Sequence, residues 1–365
     1  MKILVLNNYD FHRTWDLVRE RKLPDHLLYG LNYFEQAGHA LDLAPFRVRP
    51  RWSRFDAWMR RRHLAFFTGD TEQQVAALRR ARDADIIYAP CQTQSQLLCV
   101  LHALRVVRKP VVCLAHHPLH EGRLNRVFRG YVRLLLRGTD RYPSLSASVA
   151  RGINRIARDD TKSPIVPWGP DRAFYPPPAP GPGHGIVASG FSGRDYATFL
   201  KAAAHARSPV TLLCPAEHLP EQGRHLPPSC QVWSQPHLAW HFDERLLNLY
   251  RHARALAIPL QAGPLLSGLT SLVDALGFGK AVLMTRHPLI DLDLEREGIG
   301  RWVEPGDHEG WRRAIAFMED HPEEAVAMGR RARALVDRGL NSASFARSML
   351  RIIEDAVKPP ARSHP

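Results

Sequence analysis

Short apolar runs alternate with longer stretches of helical spacing along almost the whole chain. That alternation restricts the fold more than any other feature. In the first half the strand-like runs are Lys2–Asn7, Ala40–Pro45, Ala84–Pro90, Pro110–His116 and Ser163–Trp168. In the second they are Gly185–Gly190, Pro209–Pro215, Gln231–Ser234, Ala253–Leu260, Lys280–Thr285 and Arg301–Val303. Strands separated by helices pair in parallel and need helices over both faces. The reading is therefore α/β, with one doubly wound parallel sheet in each half.

A stretch that suits neither element divides the halves. Tyr175–Gly185 holds five prolines and three glycines in eleven residues, a composition that neither helix nor central strand tolerates. It is expected to link a first domain at 1–175 to a second at 186–340, with 176–185 between them. Residues Ser344–Val357 have helical spacing, so 341–365 is expected to return to the first domain as a helix and tail. Ligands of such sheets bind beyond the carboxyl ends of the strands. Two such domains would therefore present their loops to a common cleft.

The charge is lopsided. The chain is 365 residues long with a formal net charge of +14, and residues 1–170 carry 28 Lys+Arg against 15 Asp+Glu. Such a half suits an anionic partner. Its arginines concentrate in "RVRPRWSRFDAWMRRRHLAFF" (47–67) and "RLNRVFRGYVRLLLRG" (123–138). In the second segment Val127, Tyr131, Leu134 and Leu135 share a helical face, with Arg126, Arg129, Arg133 and Arg137 around it. This pattern fits an anionic membrane surface; a solvated helix packed on its own sheet is the plainer alternative. No nucleic-acid module is recognisable. The five cysteines show no metal or disulfide spacing, and no apolar run approaches the ~18 residues of a membrane span. The expected setting is cytoplasmic, peripheral at the inner membrane face.

The richest site signal is "SGLTSLVDALGFGKAV" (267–282). Small polar residues precede an apolar helix, which closes at Gly-Lys before a buried strand. A helix start carries unpaired N–H groups and a positive dipole end, which suit a phosphate. Ser267, Thr270 and Ser271 add hydroxyls. Asp274, one turn in, is placed to accept hydrogen bonds from a ribose diol. Ordinary capping hydroxyls are the alternative.

This segment resembles the nucleotide-sugar loop of family 4-type (group 1) glycosyltransferases, which have the GT-B fold of two Rossmann-like domains. The likeness extends, in the expected order, through "PDHLLYGLNYFEQAGHALDLA" (24–44), "PIVPWGPDRAFYPP" (164–177), "SGFSGRDYATFLKAA" (189–203), "GIGRWVEPGDHEGWRRAI" (298–315) and "MGRRARALV" (328–336) with "NSASFARSML" after it. It implies that Asp274 binds the ribose of a nucleoside diphosphate sugar. Gly268, Leu269 and Thr270, with Ser267, would hold the diphosphate, and Arg194 would neutralise it. The family's first acid is absent: Leu265 and Leu266 occupy that region. An extra residue also separates Gly268 from Asp274, and a glycine-rich turn after the first strand is missing.

Transfer to a hydroxyl needs a stabilised leaving group and a proton acceptor. His116 and His117 follow an apolar strand in "VVCLAHHPLH" (111–120) and are the catalytic candidates. A donor phosphate oxygen as base and a hydrogen-bonded histidine pair remain alternatives. Asp25 and His26 are candidates for acceptor contact. No metal site is expected, and no cofactor beyond the donor substrate. The leading reading is a metal-independent glycosyltransferase using a nucleotide sugar and a lipid-linked or polysaccharide acceptor. A sugar-nucleotide epimerase and a non-catalytic nucleotide- or glycan-binding relative are the alternatives.

Overall fold

A computed structural model describes residues 1–46, 50–62, 68–92, 95–119, 125–215, 218, 228–233 and 242–358. The chain forms two compact units: Met1–Arg19, Asp25–Pro167 and Ser342–Pro365 make the first, and Glu20–Pro24 with Trp168–Asn341 the second.

The first unit is built on β1 (Lys2–Val5), β2 (Ala40–Leu43), β3 (Ile86–Ala89) and β4 (Val111–Cys113), all parallel in the order β2-β1-β3-β4. Ile3, Leu4, Ile86, Ile87, Val111 and Val112 are fully buried, as strands covered on both faces require. Its helices are α1 (Phe11–Arg19), α2 (Leu31–Gln36), α3 (Pro50–Arg61), α4 (Thr71–Arg80), α5 (Gln96–Ala103), α6 (Asn125–Arg137) and α7 (Ala147–Ala157). Asp70 caps α4 by accepting from the Gln73 N–H at 3.1 Å, satisfying one unpaired donor of its first turn.

The second unit holds β5 (Ile186–Ser189), β6 (Val210–Leu213), β7 (Cys230–Trp233), β8 (Ala255–Ile258), β9 (Ala281–Thr285) and β10 (Gly300–Val303), again all parallel, in the order β10-β9-β8-β5-β6-β7. Helices α8 (Tyr196–Ala203), α9 (Glu244–His252), α10 (Leu269–Phe278), α11 (His308–Asp320) and α12 (Pro322–Asp337) cover it. One core, around Phe199 and Trp311, lies on one face; the other gathers Tyr175, Phe242, Tyr250 and Phe278. The last helix, α13 (Ser342–Val357), belongs to the first unit, where it packs on α2, β3 and β4. Tyr33 Oη and Ser342 Oγ lie 3.2 Å apart there.

Several sequence expectations shift. Ser163–Trp168 forms no strand: the chain makes only isolated bridges, Ser144 to Ile165 among them. Pro143, Pro164 and Pro167 deprive this region of ladder donors. The units divide at Pro167, ahead of the Pro/Gly stretch. That stretch lies on the second unit, with His184 N–H donating to His252 O at 2.7 Å and Arg254 N–H to Gly185 O at 3.0 Å. Glu20–Pro24 also groups with this unit, where Phe242 N–H donates to Lys22 O at 2.9 Å. In α6 the buried residues are Val132, Leu135 and Leu136, while Tyr131 and Leu134 are only partly covered. Of the expected face only Leu135 is buried, and the side chain of Val127 lies outside the described residues.

Gly329 tests this packing. A Cβ there would lie 2.2 Å from Gly279 O, so α12 approaches the end of α10 too closely for a side chain. Gly329→Ala is expected to lower the thermal midpoint, because overpacking of ~1–3 kcal/mol outweighs the ~1 kcal/mol alanine gains in a helix. Gly130→Ala in α6, where a Cβ meets nothing within 4 Å, is expected to raise it. Equal shifts in one direction would contradict this packing.

Candidate functional site

In the second unit the chain reverses its order across the sheet between β5 and β8. Loops diverge at such a switch point and leave room for a ligand beyond the carboxyl ends of the strands. The turn after β5 and the segment after β8 meet there. Asp195 N–H donates to Pro259 O at 3.1 Å, and Gln261 N–H to Gly193 O at 2.9 Å. The sequence candidates Arg194, Ser267, Gly268, Leu269, Thr270 and Asp274 all lie in this region.

Arg194 is held in place. Its Nε donates to Ser189 O at 2.9 Å, Nη1 to Ser192 O at 2.9 Å and Nη2 to Ser271 Oγ at 2.7 Å. Burial lowers its pKa, but a guanidinium with these acceptors stays charged. Ser271 was read as a ligand hydroxyl; its Oγ instead accepts from Arg194 and donates to Ser189 O at 3.4 Å. Gly268 starts α10 at φ +80° with no side-chain cap. Its left-handed backbone excludes most other residues, and a Cβ would press on Met284, Ile258 and Leu260. The first N–H groups of α10 are thus uncapped, with Arg194 fixed against the same turn through Ser271. Two positive features of like sign lie side by side, an arrangement that an anion relieves. Ser267 is half-buried, and Thr270 is exposed at this helix start.

Asp274 sits deeper than a ribose contact would suggest. It is 8% exposed, and Oδ1 accepts from Tyr175 Oη at 2.6 Å. Burial raises its pKa to about 7, against the lowering effect of Tyr175. Among the described residues its second oxygen has no hydrogen-bond partner. Between the ordinary carboxyl range and about 7 the folded chain keeps a proton that the unfolded chain has lost. Asp274 therefore costs stability as pH rises through that window.

In the first unit the structure brings His116 and His117 to the end of β4, next to the turn after β3. Gln92 holds both, a role the sequence reading missed. Its Oε1 accepts from the His116 and His117 N–H groups at 2.6 and 2.9 Å, and its Nε2 donates to His117 O at 2.9 Å. His116 Nε2 lies 2.6 Å from Pro90 O. A carbonyl only accepts, so that nitrogen carries the proton and Nδ1 keeps its lone pair. Burial lowers the His116 pKa to about 4, and burial also lowers that of His117. Both rings are neutral at pH 7, and His116 is a weak base.

Asp25 and His26, the candidates for acceptor contact, lie in the first unit. They form a 3₁₀ turn and are 8% and 1% exposed. Asp25 Oδ2 accepts from Asn32 Nδ2 at 3.0 Å. Burial pushes the His26 pKa to about 3, which marks an interior group. On α6, Arg129 and Arg137 are exposed and Arg133 is partly covered; the side chain of Arg126 lies outside the described residues. Among the described residues no cluster of three or more His, Cys, Asp or Glu could hold a metal ion. No described helix is long and apolar enough to cross a membrane.

Gly190 is the second residue that the sequence reading missed. Its φ is +108°, and a Cβ would fall 2.2 Å from Arg194 Nη2. Gly190→Ala is expected to displace the guanidinium and weaken binding of a nucleoside diphosphate at least tenfold while the unit stays folded. Unchanged binding, measured by calorimetry, would remove Arg194 from the site.

No protein-family model matches the chain, and no curated protein matches it by sequence. Solved structures do match over nearly its whole length. HepE of Anabaena in complex with UDP aligns at a TM-score of 0.67 with 13% identity, covering 97% of this chain and 100% of that one. Sucrose-phosphate synthase of Thermosynechococcus elongatus aligns at 0.65 with 12% identity, covering 97% and 99%. WaaG, a glycosyltransferase involved in lipopolysaccharide biosynthesis, aligns at 0.60 with 14% identity, covering 97% and 99%. With its four- and six-stranded parallel sheets, the chain has the two-domain GT-B fold of glycosyltransferases.

Proposed function

We propose that the chain is a glycosyltransferase that takes a sugar from a nucleoside diphosphate, with UDP as the carrier. The observation that carries this is Arg194, fixed beside the uncapped start of α10 at the β5/β8 switch point. The choice of UDP is supported by the similarly folded HepE, whose structures hold UDP, UDP-glucose, and UDP with glucose. In the transfer, the bond from the sugar's anomeric carbon to the phosphate oxygen breaks, and the diphosphate leaves with the electron pair. A new bond forms from that carbon to the acceptor oxygen, whose proton must depart. Arg194 and the first N–H groups of α10 stabilise the charge that grows on the diphosphate. The free oxygen of Asp274 accepts from the ribose. His116 and His117 orient the acceptor hydroxyl through neutral rings. With His116 so weakly basic, the proton goes to an oxygen of the departing diphosphate. No step in this account uses a metal.

The acceptor we propose is lipid-linked or a growing polysaccharide, met at an anionic membrane surface. Two features support this: the positive excess of residues 1–170 and the exposed pair Phe55 and Trp58 on α3. Their rings stack at 6.1 Å, and Arg62 sits over Trp58. Exposed aromatics among arginines suit a membrane interface. Phe66 and Phe67 of the same segment lie outside the described residues.

Thermal shifts with UDP, GDP, dTDP and ADP test the donor. UDP at 100 times its Kd is expected to stabilise the chain by ~2.7 kcal/mol, more than the other three. A ribose diol donates to the ionised carboxylate, so UDP affinity is expected to rise from pH 6 to pH 8. Asp274→Asn should lose about fivefold at pH 8, the difference between a charged and a neutral hydrogen bond. Stabilisation by none of the four would reject the donor reading, and full affinity in Asp274→Asn would reject the ribose contact. UDP binding without transfer to any acceptor would favour a binding relative over an enzyme.

A further inference from the structure

A second cationic site lies in the first unit, away from the histidine turn. Near the ends of α6 and α7, Arg133, Arg137, Arg158 and Lys162 line a cavity of about 290 Å³. A single water needs only ~10–15 Å³ on such a measure. The guanidinium groups of Arg133, Arg137 and Arg158 have no hydrogen-bond or ion-pair partner among the described residues. Lys162 is 9% exposed and donates from Nζ to Thr139 O. Arg158 is a non-glycine residue at φ +59°, the left-handed cap that ends α7 and turns the chain into the cavity wall.

The plainer account is that these cations complement the carboxyl ends of two helices. Magnitudes argue against its being the whole story. Each helix end carries about half a negative charge. The carboxylate in the lining, Asp159, already accepts from Thr161 N–H at 2.9 Å and Thr161 Oγ1 at 2.7 Å. Against four cations, an excess of about two positive charges remains around one cavity. Three arginines without partners present forked donors matched to phosphate oxygens.

We propose that this cavity binds a phosphate-bearing group, free or as the headgroup of an anionic lipid. The site is separate from the donor loop and does not depend on the transferase reading. Calorimetry with inorganic pyrophosphate on the full chain tests it, using Arg137→Gln/Arg158→Gln and, to empty the donor loop, Arg194→Ala. Both pocket arginines are exposed, so the double variant should keep its thermal midpoint, and Arg137→Lys/Arg158→Lys should restore most binding. Pyrophosphate binding is expected to survive Arg194→Ala and to fall at least tenfold when the glutamine pair is added to Arg194→Ala. Equal binding by Arg194→Ala with and without the pair, or none by Arg194→Ala, would overturn the proposal. Flotation with phosphatidylglycerol vesicles separates the sources. A tenfold loss in the pair assigns a lipid headgroup; unchanged flotation beside lost pyrophosphate binding assigns a free phosphate compound.

Discussion

The second unit places two positive features against each other, and the candidate site follows from that choice. The start of α10 carries uncapped N–H groups, and Arg194 is tied to the same turn through Ser271 Oγ. Serine hydroxyls and backbone carbonyls do not neutralise either one. The arrangement persists because the sheet fixes both ends: β5 delivers the Arg194 turn, β8 delivers the loop before α10, and backbone bonds lock the two segments. The glycines follow from this crowding. Gly190 leaves room for the guanidinium, and Gly268 turns the chain over a packed core. An anion at that point adds stability that the unliganded unit lacks.

The first unit handles charge differently. His116 and His117 are partly buried and neutral, held by a glutamine and a proline carbonyl in place of a carboxylate. A ring arranged this way orients a hydroxyl better than it removes a proton. Its cations lie elsewhere, along α3 and where α6 and α7 end. The unit's positive excess therefore reads as a matter of partners more than of proton transfer.

Much of the fold was legible because parallel strands buried on both faces read as unbroken apolar runs, such as "KAVLMT" at 280–285 and "ALAI" at 255–258. Ser163–Trp168 misled because its apolar content hid the cost of its prolines. The turn into α10 was legible through its small residues and helix start. What the sequence hid depends on distant partners. Tyr175 reaches Asp274 from 99 positions away and changes that residue from an exposed acid to a buried one. Ser271 is consumed by Arg194, and Lys280 of the Gly-Lys pair turns out to be structural, donating to Arg251 O at 2.6 Å. Gln92 carries no local signal at all, because its role exists only once β3 and β4 are neighbours. On α6 the plainer alternative of a helix packed on its own unit accounts for the buried Val132, Leu135 and Leu136.

The most direct test of the account is hydrogen exchange of the backbone amides when UDP is added. If the diphosphate rests on the start of α10, the N–H groups of Leu269, Thr270 and Ser271 gain protection with UDP, and the gain disappears in Arg194→Ala. Protection that leaves 269–271 unchanged and falls on another segment would contradict the assignment of the donor site.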